Sequence, residues 1–133
     1  MPLPSLDLSY LRLTYRPDLR TLFLRWTRSV SSPEHREGYQ QALTMAQPLE
    51  AGRWLIDLRT RGLASAEDFE WVLTDFRAQL AQALPHVTRR LAYLVTPYHQ
   101  ATIRERMQSP ELADNIRVFI EEAPAQHWLE TGL

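Results

Sequence analysis

Alternation of apolar and polar positions begins at Leu11. Leu11, Leu13 and Tyr15 alternate with Arg12, Thr14 and Arg16, the period of two expected of a strand with one buried face. Pro17-Asp18 follows as a turn signal, because proline presets a turn's backbone angle. From Arg20 to Thr27 the alternation resumes, with Leu22, Leu24 and Trp26 on one face. The short connection predicts an antiparallel hairpin. Met1 to Ser9, which hold Pro2 and Pro4 and no clear period, read as an irregular leader.

The period then lengthens. Ser32-Pro33-Glu34 predicts a helix start, because serine accepts from free amides, proline suits the first turn and glutamate suits the positive end. Tyr39, Ala42, Leu43 and Ala46 recur at helical spacing. Gly38 weakens this helix modestly, and Pro48 is expected to stop it. Arg53 to Arg59 reads as a strand whose run Trp54-Leu55-Ile56 suggests burial on both faces. Ser65-Ala66-Glu67-Asp68 resembles a capping box with aspartate in the glutamate place. Phe69, Val72, Leu73, Phe76 and Leu80 form one apolar stripe behind it, and Pro85 closes that helix. A strand over Arg89 to Thr96 is broken by Pro97. A helix over Tyr98 to Met107 and a helical turn at Ser109-Pro110-Glu111 come next. Ile116 to Glu121 is the last strand, and Pro124 to Thr131 a closing helix.

Three successive strand–helix–strand units call for crossover connections and a parallel sheet. The leading hairpin adds an antiparallel strand. The expected fold class is therefore α/β: one domain over residues 10–133, with a mixed β-sheet flanked by helices.

Composition removes most chemistries. The chain has 133 residues, no cysteine and a net charge of -1, and all 15 basic residues are arginine. Without cysteine there are no disulfides, zinc ribbons, iron–sulfur clusters or thiol catalysis. Without lysine there is no Schiff-base or phosphate-loop lysine. The near balance of charge gives no basic stripe for nucleic acid. The longest apolar run, Leu91 to Val95, is far below the ~20 residues of a membrane span. Met1 to Ser9 lack signal-peptide features, so a cytoplasmic location is expected. His35, His86, His99 and His127 form no His-x-x-x-His pair, and no Gly-x-Gly-x-x-Gly occurs. No metal, cofactor or enzymatic activity is expected.

Four stretches stand out together: Phe23-Leu24-Arg25-Trp26, the helix Glu34 to Gln47, Trp54-Leu55-Ile56-Asp57-Leu58-Arg59, and Ser65-Ala66-Glu67-Asp68 with the helix bearing Trp71. In these the chain resembles the STAS-like family, related to the sporulation anti-anti-sigma factor and often grouped with Sec14-type lipid-binding domains. The resemblance implies a small mixed sheet flanked by helices that acts by binding rather than catalysis. It implies a protein partner, with a second copy of the chain as one candidate. A Sec14-like reading implies a small-molecule or lipid ligand instead. In anti-anti-sigma proteins a serine in an Asp-Ser-Ser/Thr-Gly type motif is phosphorylated at this helix start. The positional match is Ser65, but the loop reads Arg59-Thr60-Arg61-Gly62-Leu63-Ala64-Ser65, without that motif.

Candidate site residues follow from position. Arg59, Arg61, Tyr98 and His99 lie past the carboxyl ends of two strands, where open α/β sheets bind ligands. The two arginines together suit an anionic headgroup, phosphate or carboxylate. Ser65 is either a regulatory serine or simply a helix cap. Trp71, off the main stripe of its helix, is a partner-contact candidate. A hydrolytic triad of Ser65, His99 and Asp57 lacks a Gly-x-Ser-x-Gly elbow. Asp57 reads better as a strand-end residue accepting from nearby amides.

Overall fold

The computed structural model describes residues 3–107 and 115–133. Its six strands form one sheet whose spatial order repeats the order of the sequence. They are β1 (Ser5–Asp7), β2 (Leu11–Arg16), β3 (Thr21–Trp26), β4 (Arg53–Asp57), β5 (Arg90–Leu94) and β6 (Ile116–Phe119). β1, β2 and β3 pair antiparallel, and β3 to β6 pair parallel. The expected α/β class, with an antiparallel hairpin leading into parallel strands, is the observed one. β1 corrects the reading of the first nine residues as irregular. Ser5 pairs with Thr14 and Asp7 with Arg12, so main-chain bonding orders a segment whose exposed side chains show no period.

The helices are α1 (Ser32–Leu49), α2 (Ala66–Trp71), α3 (Arg77–Ala83), α4 (Pro97–Arg106) and α5 (Glu122–Thr131). A π-helical turn over Val72–Phe76 joins α2 to α3 without a break. The helical turn expected at Ser109-Pro110-Glu111 lies outside the described residues. None of the described helices is long and apolar enough to cross a membrane.

Strand alternation sorts the core into two layers. Leu22, Leu24, Trp54, Ile56, Leu91 and Tyr93 meet α1, α2, α3 and α4 on one face. Phe23, Leu55, Ala92 and Leu94 meet Ala125, Trp128 and Leu129 of α5 on the other. Parallel neighbours in sequence order put every crossover helix on one side, as crossovers of uniform hand require. Of the described helices, α5 alone covers the far side, over β4, β5 and β6. It leaves an open groove of about 560 Å³ beside Arg12, Thr14, Phe23 and Arg25.

Helix ends depart from the sequence reading in two places. The cap of α1 is Ser31, one residue before the expected start. Its hydroxyl accepts from Glu34 N at 3.3 Å, and Glu34 Oε1 accepts from Ser31 N at 3.0 Å. That three-residue spacing completes a reciprocal capping box, which Ser32 cannot form. Pro48 does not stop α1, which runs on to Leu49. Proline's fixed φ is itself helical, so the helix continues through Pro48 at the loss of one main-chain hydrogen bond, that to the carbonyl four residues earlier. The helix ends at Glu50, held at φ 50°. A side chain in that left-handed region costs about 1–2 kcal/mol, and glycine is the usual residue there. Glu50→Gly is therefore expected to raise the unfolding free energy by up to about 1 kcal/mol. Urea titration checks this, and a decrease would show that the Glu50 side chain contributes elsewhere.

Candidate functional site

The chain leaves β4 at Asp57 and turns sharply. Leu58 N donates to Leu94 O at 2.8 Å, and Gly62 N donates to Leu58 O at 2.8 Å. Gly62 sits at φ 84°, a conformation that glycine takes without steric cost. This turn separates the two arginines expected to grip one anion. Arg59 stays with Asp57: Nε donates to Oδ1 at 3.0 Å and Nη2 to Oδ2 at 2.9 Å. Arg25 Nη1 reaches the same Oδ2 at 2.9 Å and also Glu122 of α5 at 2.9 Å. Asp57 accepts from Arg59 N as well, the strand-end role expected of it. Burial pushes the Asp57 carboxyl up, but the bonds from Arg59 and Arg25 outweigh it and hold it below the usual range. This cluster on the α5 side is balanced: its arginines already have acids.

Arg61 goes to the other side. It is 93% buried, being 7% exposed, with its guanidinium 4.4 Å from the ring centroid of Trp26. No described residue forms an ion pair with it, and its Nη1 is sealed from solvent without a hydrogen-bond partner. Burial pulls its pKa down. A buried cation without an ion pair is costly, and the charge of nearby Asp68 offsets only part of the burial.

Arg61 lines a recess of about 270 Å³ together with Ser32, His35, Ser65 and Asp68. Ser32 and Ser65 are exposed at its mouth, whereas His35, Arg61 and Asp68 are buried. The helix caps build the walls. Ser65 Oγ accepts from Asp68 N at 3.1 Å, so Ser65 caps α2. The Asp68 carboxylate does not reach back to complete a box; it accepts from the Ser32 hydroxyl of α1 at 2.6 Å. That bond ties the start of α1 to the start of α2. The positive end of the 18-residue α1 adds to the field around the recess.

His35 was not singled out by the sequence reading. It lies one turn before Tyr39, on the buried stripe of α1. Its Nε2 is 3.2 Å from the carbonyl oxygen of Asp68. A carbonyl only accepts, so Nε2 carries the hydrogen, and Nδ1 of the neutral ring is an acceptor. Nδ1 is buried and has no partner. Burial first, and the Arg61 charge second, push the His35 pKa down to about 4. The ring is therefore neutral near pH 7.

The remaining candidates lie apart from the recess. Tyr98 is 87% exposed at the start of α4. His99 Nδ1 is 3.3 Å from Thr96 Oγ1, a local bond at the same helix start. No hydrogen bond links Ser65, His99 and Asp57, and Asp57 is held by arginines on the α5 side, so no triad is assembled. Trp71 is half-buried, packed edge-on against His35 and Tyr39, with Arg36 over its ring at 5.4 Å. Among the described residues no cluster of histidine and acid side chains could hold a metal ion.

Within the site, then, Arg61 and Ser65 are brought together, Arg59 is drawn away by Asp57, and His35 and Asp68 complete the walls. Comparison with protein-family models, curated proteins and solved structures finds no match to this chain.

Proposed function

We propose that this protein is a non-enzymatic binding module that takes a small anion in the recess beside Arg61. The observation that carries this reading is a buried guanidinium with no acid paired to it among the described residues. An anion there supplies the missing counter-charge and accepts from a donor otherwise left empty. The larger groove beside Arg25 makes the weaker claim, because Arg16 and Arg25 already have acids and its third arginine, Arg12, is exposed to solvent rather than buried. The STAS-like resemblance, which implies a binding role, draws support from the mixed sheet with its leading hairpin. Aromatic packing of the π-helical turn on the sheet, Trp54 with Phe76, and on α1, Tyr39 with Phe76, favours a ligand in the recess over an acyl chain between the layers.

A protein partner, the other role the resemblance implies, has one observation in its favour: the exposed ring of Tyr98. Its place at the start of α4 leaves it free to meet another surface, while Trp71 is already covered.

Thermal unfolding with calorimetry tests the anion reading. A panel of chloride, sulfate, phosphate, acetate and glycolate salts at matched ionic strength is compared on the native chain and on Arg61→Met. Methionine keeps an apolar stem over Trp26 and removes the charge. At 100 times its dissociation constant a ligand stabilises the native state by about 2.7 kcal/mol. The native chain is expected to show that gain with at least one oxyanion, and Arg61→Met to lose it. General salt stabilisation by sulfate or phosphate affects both proteins alike. An equal response of both proteins to every salt would overturn the reading.

A further inference from the structure

Three side chains stacked on one another leave polar atoms without partners. The Arg61 guanidinium lies over Trp26 at 4.4 Å, and the His35 ring lies nearly parallel to Trp26 with centroids 6.0 Å apart. Arg61 Nη1, Trp26 Nε1 and His35 Nδ1 are all buried and unbonded. Nη1 and Nε1 are donors, and Nδ1 is an acceptor because Nε2–H is committed to Asp68 O. Buried polar groups are rarely left open, so each is a demand for a complementary atom.

Arg61 and His35 line the recess and Trp26 does not, so the set offered to a ligand is one donor and one acceptor, not a donor alone. A bare oxyanion such as acetate or sulfate answers the donor and leaves His35 Nδ1 facing an atom that cannot donate. We infer that the ligand is an anion carrying its own hydrogen-bond donor beside its charged oxygens, and that His35 selects for that donor. This inference rests on the anion reading above and specifies its chemistry. Two classes share the property. One is a small hydroxycarboxylate, whose hydroxyl donates while its carboxylate accepts. The other is phosphate, which keeps a P–OH near neutral pH where sulfate has none. The recess, about 270 Å³, has room for an anion of either class. Asp68 on the same wall opposes a second negative charge, which favours the hydroxycarboxylate of the two.

Calorimetric titration separates the outcomes at pH 7 with four probes: glycolate, acetate, phosphate and sulfate. Glycolate is expected to bind at least tenfold more tightly than acetate, and phosphate at least tenfold more tightly than sulfate. Those ratios need no variant. In His35→Phe, which keeps a flat ring against Trp26, both ratios are expected to fall toward one while Arg61-dependent binding persists. Circular dichroism and cooperative unfolding establish that the variant is folded. In the native chain the Nδ1 nitrogen resonance of His35 is expected to move on adding glycolate and not on adding acetate. Equal affinities within both pairs would overturn this inference and leave the anion reading standing. Phosphate selectivity without glycolate selectivity would assign the site to phosphate. Absence of any Arg61-dependent binding would overturn both.

Discussion

Gly38→Ala is expected to destabilise the protein by about 2 kcal/mol, although the same change in an exposed helix stabilises. Helix propensity alone favours alanine by about 1 kcal/mol. But Gly38 is the point where α1 crosses β3. A Cβ there would lie 2.4 Å from Trp26 Cη2 and 3.0 Å from Leu11 Cδ2. Trp26 is 2% exposed and Leu11 is fully buried, so neither has free space to move into. Trp26 is also clasped between Arg61, Tyr10, His35 and Tyr39. Overpacking of this kind costs typically 1–3 kcal/mol and occasionally more, enough to reverse the propensity gain. Urea titration at constant m value measures it. A stability rise of about 1 kcal/mol would show that α1 shifts without cost. Pairing the change with Trp26→Phe is expected to recover part of the loss, because the two substitutions share one contact.

Acid is expected to weaken the fold well above the range where carboxylates titrate. His35 is held at about 4 by burial and by Arg61, against about 6.5 in the unfolded chain. A folded pKa below the unfolded one means the unfolded state binds the proton first. The stabilisation is therefore full above about pH 6.5 and is lost as pH falls toward about 4. The groups around the ring act in both directions: Arg61 and Arg36 push its pKa down, and Asp68 pulls it up. Across the whole window the loss amounts to about 3 kcal/mol. Asp57, whose folded pKa is lowered, contributes stability that is lost only below its unfolded value near 4, so the two windows separate. Urea titrations from pH 7 to pH 4.5 are expected to show a steady fall in the native chain and a shallower one in His35→Phe. A flat profile for the native chain would show that His35 does not stay neutral in the fold.

Much of this architecture was legible in the periodicities, and the failures have identifiable causes. The hairpin, the parallel strands and the stripe of Phe69, Val72, Leu73, Phe76 and Leu80, of which Leu73 is only partly buried, all followed from the alternation of burial. β1 did not, because its three residues are exposed on both sides and are ordered by main-chain bonds alone. The π-helical turn at Val72–Phe76 did not, because one inserted residue barely disturbs a helical stripe. Arg59 and Arg61 read as partners because both follow the carboxyl end of a strand, where open α/β sheets bind ligands. They diverge because the chain turns sharply there and Asp57 draws Arg59 to its own side. His35 escaped notice because a lone histidine on an apolar stripe is usually core. Only the unanswered Nδ1, set against the unanswered Arg61, distinguishes it, and no pattern of residue types records an unanswered atom.

A sheet whose strands follow one another in space as they do in sequence can grow at one edge. Each new strand docks beside the one made just before it, and the intervening helix closes over the same side. Each parallel pair must still wait for a whole crossover helix to be made, and such non-local pairing is slow. The other side has a different history. Phe23, Leu55, Ala92 and Leu94 remain bare until α5 has been made. A nascent or truncated chain ending before Ala125 is thus finished on one side and sticky on the other. That side is where a chaperone would hold it, and where aggregation of the unfinished protein would start.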